Sequence, residues 1–159
     1  MRDRRFTVRL FGAVAALMLL FGGAPAVAQE ASAAGFTVWR NQGLSGYCLA
    51  NHHPAAFMHF GPSPSSAWCG RYNDQLWSRD STGMVQNLHS GKCLATHGGG
   101  VFTSDCNSGY RDQRWVGYPP EPALLENRQY PGMCLAAHAN GNVFISPCNP
   151  SYADQYWSY

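Results

Sequence analysis

From about residue 36 onward the apolar positions come in short runs, and polar and turn-forming residues separate them. "MVQN" (84–87), "KCLATH" (92–97), "ALLEN" (123–127) and "MCLAAH" (133–138) are each four to six residues long. Runs of that length bounded by turn residues predict strands. No stretch beyond the N-terminal region places apolar residues at helical spacing. "HGGGVF" (97–102) and "HANGNVF" (138–144) read as hairpin tips, because Gly-Gly and Asn-Gly supply the positive φ of tight turns. The first thirty residues differ. Arg2, Arg4, Arg5 and Arg9 precede an apolar run from Leu10 to about Ala24, and Ala26-Val27-Ala28 has the small-x-small form of a cleavage site. This predicts a signal peptide over residues 1–28 and a secreted, extracellular protein. The apolar run is short for a membrane span.

The strand pattern repeats. "GYCLA" (46–50), "GKCLA" (91–95) and "GMCLA" (132–136) are followed by a second cysteine at Cys69, Cys106 and Cys148, and then by "DQLW" (74–77), "DQRW" (112–115) and "DQYW" (154–157). Asn41, Asn87 and Asn127 stand six or seven residues before the first cysteine of each unit. The period is about 40 residues, and the units are residues 36–79, 80–118 and 119–159, after a short linker at 29–35. Four short strands per unit give about twelve strands in one all-β domain.

Charge removes some functions. The chain carries 11 Lys+Arg and 9 Asp+Glu. Removing residues 1–28 takes away four Arg and one Asp and leaves 7 against 8, a net −1. No basic patch points to nucleic acid, and no further segment is apolar enough to span a membrane. Six cysteines in an exported chain point to disulfides; six thiols allow 15 pairings, and spacing alone does not select one. No Cys-x-x-Cys is present for a zinc ribbon or a thioredoxin-like site. "HGGG" (97–100) has the look of an oxyanion loop, yet the Gly-x-Ser-x-Gly elbow it would serve is missing. No carboxylate pair stands apart from the repeat as acid and base. The expectation is a monomeric, non-enzymatic binding protein without metal or cofactor.

Three units of Gly-x-Cys-Leu, a second Cys and a closing Gln-x-Trp resemble the ricin B-type β-trefoil lectins over residues 36–159. The resemblance implies a pseudo-threefold β-trefoil with Trp77, Trp115 and Trp157 in a shared core. It also implies the pairings Cys48–Cys69, Cys93–Cys106 and Cys134–Cys148, and a partner that is a glycan or polysaccharide. In sugar-binding relatives the residue two after the first cysteine is typically an Asp; here it is Ala50, Ala95 and Ala136. The stacking aromatic two before the second cysteine is here Ala67, Ser104 and Ser146. An aromatic after the hairpin valine and an Asn after the second cysteine are closer to a mannose-binding trefoil pattern, and Phe102, Phe144, Asn107 and Asn149 fill those places.

If each disulfide joins residues facing one another across a hairpin, Ala95 faces Ser104 and His97 faces Phe102. Ala136 then faces Ser146 and His138 faces Phe144. In the first unit Ala50 faces Ala67 and His52 faces Ser65, with no aromatic in register, so Phe57 or Phe60 of the long loop is the candidate to fill that place. Alternation along a strand puts Cys93, Ala95 and His97 on one face, with Leu94 and Val101 toward the core. The expected carbohydrate-binding groups are therefore His97, Phe102, Asn107, Asp112 and Gln113 in one patch, and His138, Phe144, Asn149, Asp154 and Gln155 in another. His52 and Asp74 belong to a weaker third. The glutamines also suit a structural role, bonding strand backbone. An alternative is a protein-binding trefoil, an inhibitor or targeting subunit, that docks through the long loop 53–67 and Trp68.

Overall fold

The computed structural model describes residues 35–52, 55–60, 69–118 and 120–159. The leader and cleavage site, and Trp68 with its loop 61–68, lie outside the described residues.

Thirteen strands make the fold, with no α-helix among the described residues. The first unit supplies β1 (Thr37–Val38), β2 (Arg40–Asn41), β3 (Tyr47–His52), β4 (Ala55–Phe60) and β5 (Leu76–Arg79). The second supplies β6 (Val85–Asn87), β7 (Cys93–His97), β8 (Gly100–Ser104) and β9 (Trp115–Gly117), and the third β10 (Ala123–Asn127), β11 (Met133–Ala137), β12 (Val143–Pro147) and β13 (Tyr156–Ser158). A one-turn 3-10 helix precedes each closing strand, at Asn73–Gln75, Arg111–Gln113 and Ala153–Gln155. The first and last strands of the units pair around a ring. β1 pairs with β5, β5 with β6, β9 with β10, β10 with β13 and β13 with β2. The isolated Met84–Arg114 bridge joins the residues just ahead of β6 and β9. The middle strands form three hairpins, β3–β4, β7–β8 and β11–β12. This is a β-trefoil with pseudo-threefold symmetry.

The core follows the repeat. Trp77, Trp115 and Trp157 are fully buried, and their Nε1 groups donate to the carbonyls of Leu49, Leu94 and Leu135 at 2.9, 3.0 and 3.0 Å. Each bond carries the indole polar edge into the apolar interior at no unpaired cost. Trp39, 1% exposed, occupies the place that Val85 and Leu125 hold in the other units, and stacks on Tyr159 with ring centroids 4.6 Å apart.

Three buried asparagines tie the units together. Asn87 Nδ2 donates to the Asp74 carbonyl at 2.7 Å, Asn127 Nδ2 to Asp112 at 2.9 Å and Asn41 Nδ2 to Asp154. Each Oδ1 accepts from the backbone two residues on, at Gly43, His89 or Gln129. Unit two is thereby fastened to unit one, three to two, and one to three. The three disulfides are Cys48–Cys69, Cys93–Cys106 and Cys134–Cys148, closing 21, 13 and 14 residues. Each removes roughly 3 kcal/mol of chain entropy from the unfolded state.

Asp80 shapes the turn that leads into β6. Its Oδ1 accepts from the Thr82 hydroxyl and the Thr82 and Met84 N–H groups at 2.8–2.9 Å. Partial desolvation pushes the carboxyl up, but the hydrogen bonds from Thr82, Met84 and Gly83 outweigh it and hold the group below its ordinary 3.8. A depressed carboxyl contributes stability above its unfolded value and loses it as pH falls through the lower folded value. Asp80→Asn is therefore expected to flatten the fall in Tm below about pH 4. A thermal-melt series on both proteins across the acid range checks this, and parallel acid limbs contradict it.

Candidate functional site

The outer faces of the second and third hairpins carry the expected site residues. Leu94 points into the core, and Cys93, Ala95 and His97 point outward with Phe102 and Ser104. The expected faces hold, while the pairing differs. Cys93 pairs with Ser104, Ala95 with Phe102 and His97 with Gly100; Cys134 pairs with Ser146 and Ala136 with Phe144. Both registers are two residues from those expected. The two-residue turn Gly98–Gly99, with φ of 59° and 93°, sets the pairing of the second hairpin. The disulfide instead reaches past the end of β8, linking Cys93 to Cys106 with Cα atoms 4.9 Å apart.

The first unit corrects the expectation further. β3 turns back into β4 after two residues, so Ala50 pairs with Phe57 and His52 with Ala55. The extra length of this unit lies after β4, not at the hairpin tip. An aromatic absent from the expected register is therefore present in sequence register in all three units: Phe57, Phe102 and Phe144 each oppose the alanine two after the first cysteine.

Ala50, Ala95 and Ala136 are all 0% exposed. The inner side of their strands meets the core, and the 3-10 turn of the same unit packs against β3, β7 and β11. The position at which the resemblance implies a sugar-binding Asp is thus a closed apolar floor. Phe102 and Phe144 are half-buried beside it, and His97 and His138 are exposed at the hairpin tips. His138 contacts Phe144 edge-on, with ring centroids 4.5 Å apart and planes at 64°. The contact is diagonal, because the Cα partner of Phe144 is Ala136. Among the described residues His97 and Phe102 make no equivalent ring contact. The side chain of His52 lies outside the described residues.

The glutamines leave the expected site. Gln113 and Gln155 are 1% and 0% exposed. Gln113 Oε1 accepts from the Asn107 N–H, and its Nε2 donates to Ser104 Oγ and the Asp105 carbonyl, all at 2.8 Å. Gln155 repeats this with Asn149, Ser146 and Pro147, and Gln75 Oε1 accepts from the Gly70 N–H. Their amides hold the chain around the second cysteine and have no capacity for a surface ligand. Asn107 and Asn149 are partly committed. Their Oδ1 atoms accept from the N–H groups of Gly109 and Ser151, which shapes the turn into Tyr110 and Tyr152. Asp112 and Asp154 are half-buried, and their carbonyls accept from Asn127 and Asn41. Asp74 is placed alike, with its carbonyl on Asn87. The first unit has Gly70 where the others have Asn107 and Asn149, so its groove lacks that amide.

The three tyrosines at the start of the 3-10 turns were not among the expected site residues. Tyr72, Tyr110 and Tyr152 are 45%, 56% and 56% exposed, one per unit. Their fixed place three residues before each Gln was the available signal. Among the described residues no group of three His, Cys, Asp or Glu side chains gathers to hold a metal. No helix among them is long and apolar enough to cross a membrane.

Three disulfide-braced units closed into a trefoil define the class of ricin-type domains. The chain belongs to the family of the ricin-type beta-trefoil lectin domain, whose model matches residues 36–158. The family domain binds carbohydrate and is not catalytic. No curated protein matches the chain. Among solved structures it is similar to the beta-trefoil lectin of the Vibrio vulnificus hemolysin/cytolysin, solved with N-acetyl-D-lactosamine bound, at 17% identity and a TM-score of 0.59, covering 80% of this chain and 94% of that one. It is also similar to the Haemophilus ducreyi cytolethal distending toxin, at 15% identity and TM-score 0.62, covering 77% and 81%. A GlcNAcα1-4Gal-releasing endo-β-galactosidase from Clostridium perfringens gives 14% identity and TM-score 0.64, covering 78% of this chain. The chain spans only 32% of that enzyme. At these identities the likeness concerns the fold.

Proposed function

We propose that this protein is a secreted glycan-binding module, freed of residues 1–28, that holds sugar with aromatic and imidazole groups instead of a groove carboxylate. The observation that carries this reading is the outer-face pair repeated in register: a buried alanine beside a half-exposed phenylalanine, with a histidine at the hairpin tip. The apolar face of a pyranose suits such a surface. The Nδ2 of Asn107 or Asn149, the phenol of Tyr110 or Tyr152 and the carboxylate of Asp112 or Asp154 are the further groups proposed to meet the ligand in each unit. Each patch is small and its ligand bonds are few, so affinity per site is weak. Two or three patches on one rigid body gain by avidity on a repetitive polysaccharide.

A glycan array on the exported chain, run at pH 5.5 and 7.5, tests the reading. The expected result is a signal on polymeric or multivalent glycans. The double variant Phe102→Ala/Phe144→Ala is expected to lower it at least about ten-fold. An array without signal overturns the reading, and so does undiminished binding by a folded double variant.

A further inference from the structure

The hairpins do not stand apart. The tip of each leans on the flank of the next. Ala55, the first residue of β4, pairs with Phe102 of β8. Gly100, the first residue of β8, pairs with Phe144 of β12, and the Ile145 N–H donates to the Gly99 carbonyl at 3.0 Å. At the third junction the Tyr47 hydroxyl donates to the Ala139 carbonyl at 3.2 Å. Two rows therefore cross unit boundaries on the outer face, His52–Ala55–Phe102–Ala95 and His97–Gly100–Phe144–Ala136.

Residues directly opposed in neighbouring strands project to the same side of a sheet. In the second row the middle residue has no side chain. A Cβ built on Gly100 would meet nothing nearer than the His97 carbonyl oxygen at 3.8 Å, so the space above it is open. His97 and Phe144 stand on either side, two strand spacings or roughly 10 Å apart at the backbone. His138 rests edge-on against Phe144 from the β11 side, across Phe144 from Gly100. The result is a notch with a glycine floor between the imidazole of His97 and the aromatic wall of Phe144. The corresponding row at the other junction has Ala55 in the middle.

We infer that this notch, built by units two and three together, is a pyranose-binding site in which His97 serves Phe144 of the next unit and not Phe102 of its own. This rests on the carbohydrate reading above and adds where the ring sits. One hexose ring fits over Gly100 with its C–H face on Phe144. The imidazole of His97 is then placed to exchange hydrogen bonds with hydroxyls at the ring edge, while His138 braces Phe144 from the other side.

Amide chemical-shift mapping on the exported chain separates the two levels. The probes are the methyl pyranosides of mannose, galactose, glucose, N-acetylglucosamine and N-acetylgalactosamine. The expected result is saturable shifts centred on His97, Gly100 and Phe144 with at least one probe. Gly100→Leu, which fills the notch, is expected to abolish them. His97→Ala is expected to weaken them about ten-fold, one hydrogen bond's worth. If Gly100→Leu does not fold, Gly100→Ala replaces it, since its Cβ enters open space, and a measurable weakening is expected there too. Shifts confined to the Asn107 and Asn149 turns, or persisting in the Gly100 variants, overturn the notch and leave the carbohydrate reading standing. No shift with any probe overturns both.

Discussion

Gly83→Ala is expected to destabilise the domain by about 4 kcal/mol or more, out of proportion to one methyl group. Gly83 is buried at φ +90°, a conformation side chains rarely adopt, and a Cβ there would lie 2.5 Å from the Trp115 carbonyl oxygen. Neither backbone can retreat without loss. The Trp115 N–H donates to the Gly83 carbonyl at 2.8 Å, and the Gly83 N–H donates to Asp80 at 3.1 Å. Beside it the isolated Met84–Arg114 bridge joins the residues just ahead of β6 and β9. The substitution thus forces apart the junction of the ring inside unit two. Gly91→Ala is the control. Gly91 also has positive φ, +66°, but nothing lies within 4 Å of its Cβ, so only the conformational cost of about 1 kcal/mol is expected. Urea unfolding of the two variants beside the parent measures the difference, and equal losses contradict the close-approach account.

Trp115→Ala is expected to cost about 5 kcal/mol, enough to leave the chain at the edge of folding. The side chain is 0% exposed at the centre of the core. Its removal opens a cavity worth roughly 3–5 kcal/mol and strands the Leu94 carbonyl, which its Nε1 reaches at 3.0 Å. Trp115→Phe separates the two effects. It keeps most of the volume and removes the donor, so a loss of about 2 kcal/mol is expected, readable as a drop in Tm. A phenylalanine variant as unstable as the alanine one would show that the hydrogen bond, not the volume, dominates.

The threefold strand pattern, the core tryptophans and the outer and inner faces of each strand were legible in the sequence, because repetition supplies three readings of one unit. The faces survived a wrong register for a simple reason. The error was two residues, and a slip of two preserves side-chain parity. The register differs from the disulfide-based expectation because the disulfide is not a rung of the ladder: Cys106 lies beyond the end of β8. The short tip, Gly98–Gly99 with a strand on either side, carried the correct register and was visible. Of the two first-unit candidates, Phe57 and Phe60, the backbone register sets Phe57 opposite Ala50. Counting back from Cys69 assigns the whole insertion to the tip, while the chain puts it after β4. The glutamines could be weighed only with their surroundings in hand, since a buried amide with three partners and an exposed one share the same letter. The contacts across units, Asn87 on Asp74 and Gly100 on Phe144, lie beyond any reading that treats each unit alone.

The asparagine bonds have one more implication. In a solenoid each repeat touches only its neighbours, and the ends need capping. Here the bonds of Asn41, Asn87 and Asn127 run from each unit to the one before it and return from the first to the last. Such a cycle has no terminal member, and two units cannot close it. A fragment of one unit carries an asparagine seeking a carbonyl and a carbonyl seeking an asparagine. Its route to a folded state is to associate with two more copies, so a single-unit peptide either remains unfolded or assembles as a trimer.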